Sequence, residues 1–95
     1  MNVKLIRISS GEDLISNVTD MTDSVVTVED PIVGFPSREG TIGFAPWSPM
    51  ISKSEKHINI PRQFIVYIAE PDDKIVEQYE KMFGAVITPS KKIIV

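Results

Sequence analysis

The stretch Ile58–Pro71, INIPRQFIVYIAEP, reads as a strand, a tight break, a second strand and a stop. Ile58 and Ile60 alternate with Asn59, the period of a half-buried strand. Pro61 then interrupts, because proline cannot donate to a ladder. The run FIVYIA that follows is apolar on both alternating faces: Phe64, Val66 and Ile68 on one, Ile65, Tyr67 and Ala69 on the other. A small domain rarely covers both faces of a late strand. An apolar edge strand is also an aggregation hazard unless it is paired. The break therefore poses a choice between a plain turn and a binding site, and the strand after it asks for a partner.

Upstream, Asn2 to Ile8 alternates in the same way, with β-branched residues that favour a strand. SSGE, residues 9–12, is a turn, and Leu14 to Thr19 is a second strand. DMTDS turns again, since Asp and Ser side chains can cap their own backbone. VVTVED is a third strand, which Pro31 is expected to stop. Three strands joined by short turns predict an antiparallel meander. IVGF and TIGFA can pair around PSREG, with Gly34 and Gly43 predicting bends or bulges. PWSP, residues 46–49, is excluded from a central strand, and SKSEK is a polar loop tip.

Downstream, EPDDKIVEQYEKMFG predicts a helix. Pro71 suits its start, and Asp72 and Asp73 complement the positive end of its dipole. Ile75, Val76, Tyr79, Met82 and Phe83 form one apolar stripe. Gly84 supplies the stop. AVITP and KKIIV then read as short extended pieces. The expected organisation is a barrel over residues 1–70, with the helix and tail of residues 71–95 packed on the same domain. The fold class is mainly β: a strongly bent, five-stranded antiparallel open barrel with a C-terminal helix.

The chain has 95 residues, which fits one domain. With 42% apolar and 24% charged residues it has the make-up of a soluble globular protein. It contains no cysteine, so it has neither a disulfide framework nor a thiolate metal site. MNVKLIRISSG lacks the long apolar core of a signal peptide, and no segment is long and apolar enough to span a bilayer. A cytoplasmic location is the expectation.

The net charge of −3 argues against indiscriminate binding to phosphate backbones. The charge is uneven, however. Residues 31–69 carry Arg38, Lys53, Lys56 and Arg62 against Glu39 and Glu55, so this third is the positive one. Any contact with an anionic partner is expected there, with Lys53, Lys56 and Arg62 as the candidates, against the plainer reading of solvated loop charges. Trp47 between its prolines has two readings: a stacking platform for a base, or an amphipathic plug for the barrel end.

Catalysis has little material. His57 is the only histidine, and its bland reading is a loop or strand-edge residue rather than a general base. The pairs Glu12–Asp13, Glu29–Asp30 and Asp72–Asp73 fall at a turn, a strand end and a helix start, without metal-ligand spacing. No GxSxG and no phosphate loop is present. The expectation is a non-enzyme with no cofactor and no metal.

Taken together, INIPRQFIVYI resembles the second signature of the Sm-like (LSm) family, roughly Ile-x-Ile-Arg-Gly-x-x-Val-x-x-Ile. Ile58, Ile60, Ile65 and Ile68 fall on its apolar positions without a gap. The first signature is matched by Gly11 at the turn glycine, Leu14 and Val18 at apolar positions, Asp20 at the aspartate and Val25 at the leucine. The two matches span about two-thirds of the chain. The resemblance implies a strongly bent barrel that pairs strands between subunits into a homo-oligomeric ring, of about five to seven copies, and binds RNA.

Family members stack a base on the side chain two places after the aspartate, read it with an asparagine and close the pocket with an arginine. Those places hold Thr22, Ser24 and Pro61 here, with Arg62 one position late. The implied nucleic-acid contacts are Asp20, Thr22, Ser24, Arg62 and Gln63, with Lys53, Lys56 and Trp47 secondary. The implied subunit interface is Phe64, Ile65, Val66, Tyr67 and Ile68. With a helix after the barrel and the PWSP insertion, the chain is most similar to small Sm-like proteins of marine cyanophages. The functional expectation is single-stranded nucleic-acid binding, RNA foremost, with a role in RNA or DNA processing in the host cytoplasm. The alternative is a phage structural or assembly protein whose ring holds protein partners.

Overall fold

A computed structural model of the chain describes residues 1–84. The extended pieces expected in the tail lie outside the described residues. Six strands form one antiparallel sheet: β1 (Val3–Ile8), β2 (Asp13–Met21), β3 (Val25–Pro36), β4 (Ile42–Pro46), β5 (Ile58–Pro61) and β6 (Ile65–Ala69). One helix, α1 (Asp73–Phe83), follows. The order across the sheet is β4-β3-β2-β1-β6, and β5 also pairs with β3. β5 meets Val25 to Val28 and β4 meets Ile32 to Pro36, both on the edge of β3 that β2 leaves free. The expected five strands become six because two short strands share one place beside β3.

The break at Pro61 explains why the sheet bends. β5 and β6 lie on opposite sides of the sheet, separated by β3, β2 and β1. In a flat sheet four ladder spacings would put them about 19 Å apart. Yet only a single 3₁₀ turn, Arg62–Phe64, connects them. Three residues at about 2 Å of rise each cannot cross that gap. The sheet therefore curls until its two edges approach.

The buried side chains agree. Ile6, Ile8, Leu14, Val18, Val26, Val28 and Ile60 form one cluster, with Ile65, Ile68 and Trp47 packed against it. Residues from both edges of the sheet thus share one interior, without a second layer. Val3, Ile15 and Ile32 lie on the other face beneath Tyr79. Two adjacent residues such as Leu14 and Ile15 serve opposite faces, as strand alternation requires.

β3 does not stop at Pro31, contrary to the sequence expectation. It runs on to Pro36, because the proline falls where β3 changes partner from β5 to β4. The register with β2 also shifts here, between Ile15 and Asn17, so no ladder needs the missing N–H. Asp30 takes a positive φ of 49°, a conformation that Asp tolerates better than most residues. The bulge expected at Gly34 or Gly43 is absent, since β3 and β4 pair in continuous register. Gly43 instead leaves room for the Phe35 ring, which a Cβ there would meet at 2.7 Å.

α1 begins as expected, with the Asp72 side chain accepting a hydrogen bond from the Lys74 N–H. Ile75, Val76, Tyr79 and Phe83 pack on the outer face of the sheet. Met82, assigned to the stripe by spacing, is 45% exposed. Tyr79 is fully buried and pins the helix to the β3 bend. Its hydroxyl accepts from the Asn17 N–H at 3.1 Å and can donate to the Glu29 or Asp30 carbonyl, each at 2.9 Å. These groups lie beside the register shift between Ile15 and Asn17. Burial pushes the Tyr79 phenol well above its ordinary pKa.

β6 also departs from simple alternation. Its register with β1 shifts between Arg7, opposite Tyr67, and Ile8, opposite Ile65, so Val66 bulges out. The bulge flips the alternation. Ile65 and Ile68 consequently both face the interior, while Phe64, Val66 and Tyr67 are 46%, 63% and 44% exposed.

Candidate functional site

The turn between β2 and β3, Thr22 to Ser24, meets the turn between β5 and β6. The Arg62 N–H donates to the Ser24 carbonyl at 2.9 Å. The Arg62 side chain folds back as well, and its Nε donates to the Thr22 carbonyl at 2.7 Å. The β3–β5 ladder makes this meeting obligatory, because Val25 pairs with Pro61 and places the two turns side by side. Asp20, Thr22, Ser24, Arg62 and Gln63, five of the eight expected nucleic-acid contacts, therefore gather at one end of the barrel.

Thr22 spends its hydrogen-bonding groups on the turn itself. Its hydroxyl accepts from the N–H groups of Ser24 at 3.3 Å and Val25 at 3.0 Å, and donates to the Val25 carbonyl at 3.2 Å. Its own N–H also donates to Val25. The guanidinium of Arg62 is fixed through Nε, and among the described residues its two terminal nitrogens meet no acceptor. Asp20 and Asp23 are exposed in and beside the same turn, so the cluster is mixed in charge. The sequence reading passed over Asp23 because it falls between the motif positions, although its place in the turn was visible.

The other three contacts stand apart. Lys53 and Lys56 are exposed on the loop before β5, at the far end of that strand from Arg62. Their neighbour His57 pairs with Glu29, Nε2 to Oε2 at 2.9 Å, and Glu29 also accepts from Asn17. Trp47 lies at the opposite end of β2 from the Thr22 turn. Its ring packs against the interior cluster and its Nε1 donates to Glu12 at 3.2 Å. That is the plug arrangement.

Two open clefts, each of about 480 Å³, lie away from the Thr22–Arg62 cluster. One is apolar, between the β3–β4 hairpin and the start of α1, and includes Phe35, Ile42, Phe44 and Ile75. The other lies under the loop that carries Lys53. Among the described residues there is no group of three or more potential metal ligands, and no helix is long and apolar enough to cross a membrane.

The fold and this site define the chain as a mainly β protein: one strongly bent antiparallel sheet, a C-terminal helix and two turns joined at one end. No family model matches the chain, and no curated protein matches its sequence.

Proposed function

We propose that the chain is an Sm-like ring subunit that binds single-stranded nucleic acid, RNA foremost, at the Thr22–Arg62 cluster. The observation that carries this reading is the bond from Arg62 Nε to the Thr22 carbonyl. It joins the regions of the two signatures, 40 residues apart in sequence, into one surface. The arginine displaced by one position from the family pattern still reaches the other signature's turn.

The ring draws on the two edges of the sheet. One edge is β6, with Val66 and Tyr67 exposed. The other is formed by β4 and β5. Two different edges pair head to tail, and head-to-tail contacts close into rings when the rotation allows. The cluster then recurs once per subunit, so that a weak single contact is multiplied. In this reading the protein acts by binding rather than catalysis, without cofactor, in the host cytoplasm.

Titration of labelled oligo-U and oligo-A at low salt tests it. Binding that weakens as salt rises is expected. Absence of binding to either oligomer contradicts the reading.

A second reading, a phage assembly protein whose ring holds protein partners, draws on the acidic residues Asp20 and Asp23 around Arg62. Recovery of virion proteins with the chain from infected cells, resistant to nuclease, would favour it.

A further inference from the structure

The geometry points to a site that grips the phosphate backbone of a single strand and does not discriminate its bases. This rests on the nucleic-acid reading above and deepens it.

Base selection needs donors and acceptors that are both free and held in place. Thr22 offers neither. A hydroxyl has one proton and two lone pairs. Thr22 uses all three on Val25 and Ser24 within the turn. The Thr22 and Ser24 carbonyls are occupied by Arg62. The Ser24 N–H is taken by the Thr22 hydroxyl. The Thr22 hydroxyl, the Thr22 and Ser24 carbonyls and the Ser24 N–H thus have little left with which to read a base edge.

Arg62 is the braced group that remains. A guanidinium carries five N–H donors in a rigid fork. The Nε–H is spent on Thr22, which fixes the fork while leaving its outer nitrogens exposed. A fork held this way matches two phosphate oxygens. Phe64, two residues on and 46% exposed, adds a ring surface. Stacking on such a ring is tolerant of sequence, because every base has a face. Gln63 and the Ser24 hydroxyl are exposed, and among the described residues no bond holds either in one orientation. They add contacts without a fixed pattern.

The flanking carboxylates act in the opposite direction. Asp23 shares the turn with Thr22 and Ser24, and Asp20 precedes it. Their charge opposes a phosphate chain whatever its bases. Removing one therefore strengthens binding to all sequences alike.

The test compares labelled homopolymers of U, A and C, together with oligo-dT, on the full-length chain at low salt. Affinities for the three RNA homopolymers are expected to agree within about threefold. Inorganic polyphosphate should displace each of them. The dT arm separates a grip on phosphate alone, which keeps DNA level with RNA, from one that also uses the ribose hydroxyl, which favours RNA. Both dT outcomes support a base-independent site. Arg62→Gln should weaken every homopolymer by the same factor and reduce the dependence on salt. Asp23→Asn should strengthen every one.

A preference of about tenfold or more for one base, the effect of one good base contact, overturns the inference and leaves the binding function intact. So does an Arg62→Gln loss confined to one homopolymer. Absence of binding to all four overturns the parent reading as well. The wild-type comparison needs no variant, so the inference remains testable even if Arg62→Gln disturbs the turn.

Discussion

Replacing Tyr79 by Phe removes one oxygen from a fully buried side chain and leaves the ring in place. The oxygen is a junction between the helix and the β3 bend. It receives the Asn17 N–H and donates its single proton to the Glu29 or the Asp30 carbonyl. The Glu29 carbonyl keeps a second donor, the Ser16 hydroxyl. The Asn17 N–H, beside the register shift between Ile15 and Asn17, donates to the tyrosine oxygen and loses that acceptor in the variant. An unsatisfied buried donor costs about 1–3 kcal/mol. The loss of stability should therefore be about 2 kcal/mol, the mid-range of that cost. For a domain of this size it lowers Tm by about 8–16 °C.

Urea unfolding followed through Trp47, the single tryptophan, reports the change. Trp47 packs on the interior cluster while Tyr79 packs on the opposite face, so the probe's surroundings stay constant. A loss below about 0.5 kcal/mol would refute the reasoning, because that is the size of an ordinary surface change. It would mean that the bend carbonyls and the Asn17 N–H are served without the tyrosine.

Three further outcomes follow from particular contacts. The folded-state pKa of Tyr79 is raised by burial above its ordinary value of 10.0. The unfolded chain therefore loses this proton first as pH rises. Stability from this group is complete below pH 10 and falls above it, by about 1.4 kcal/mol per pH unit, until the folded phenol also ionises. Alkaline unfolding curves of wild type and Tyr79→Phe should separate in this slope. Val66→Lys places a charge on an edge-strand bulge that is 63% exposed. If the proposed ring forms, light scattering should then give a smaller particle than the wild type, with urea stability within about 0.5 kcal/mol. A wild-type chain that scatters as the 10.6 kDa monomer at micromolar concentration would remove the ring. Asp72→Ala removes the helix cap that holds the Lys74 N–H and should cost about 1 kcal/mol by thermal unfolding.

Local chemistry made the strands legible. Val3 to Ile8 and Val25 to Val28 alternate with β-branched residues, and each lies in the sheet with its period intact. The helix was equally plain, because Asp72, Asp73 and Gly84 mark its ends. Pro31 misled for a physical reason. Proline stops a strand only where the ladder needs its N–H, and whether it does depends on strands that come later in the chain. Val66 misled in the same way. A bulge is a property of a pair of strands, so one strand's alternation cannot reveal it.

The helix stripe disclosed the Tyr79 ring but not the destination of its hydroxyl. At the candidate site, residues near the motifs could be named in advance. Which of them meet could not. The ladder between β3 and β5 brings Arg62 to Thr22 and leaves Lys53, Lys56 and Trp47 elsewhere. Contacts across 40 residues follow from register, and register emerges only when the whole sheet is assembled.

The central claim is that the two joined turns are where nucleic acid lies. Ultraviolet cross-linking of a single-stranded oligonucleotide to the full-length chain, with the linked peptides mapped by mass spectrometry, tests it most directly. Cross-links are expected within Asp20 to Ser24 and Pro61 to Phe64. Cross-links confined to Trp47 and the loop carrying Lys53 and Lys56, or none at all, would contradict it.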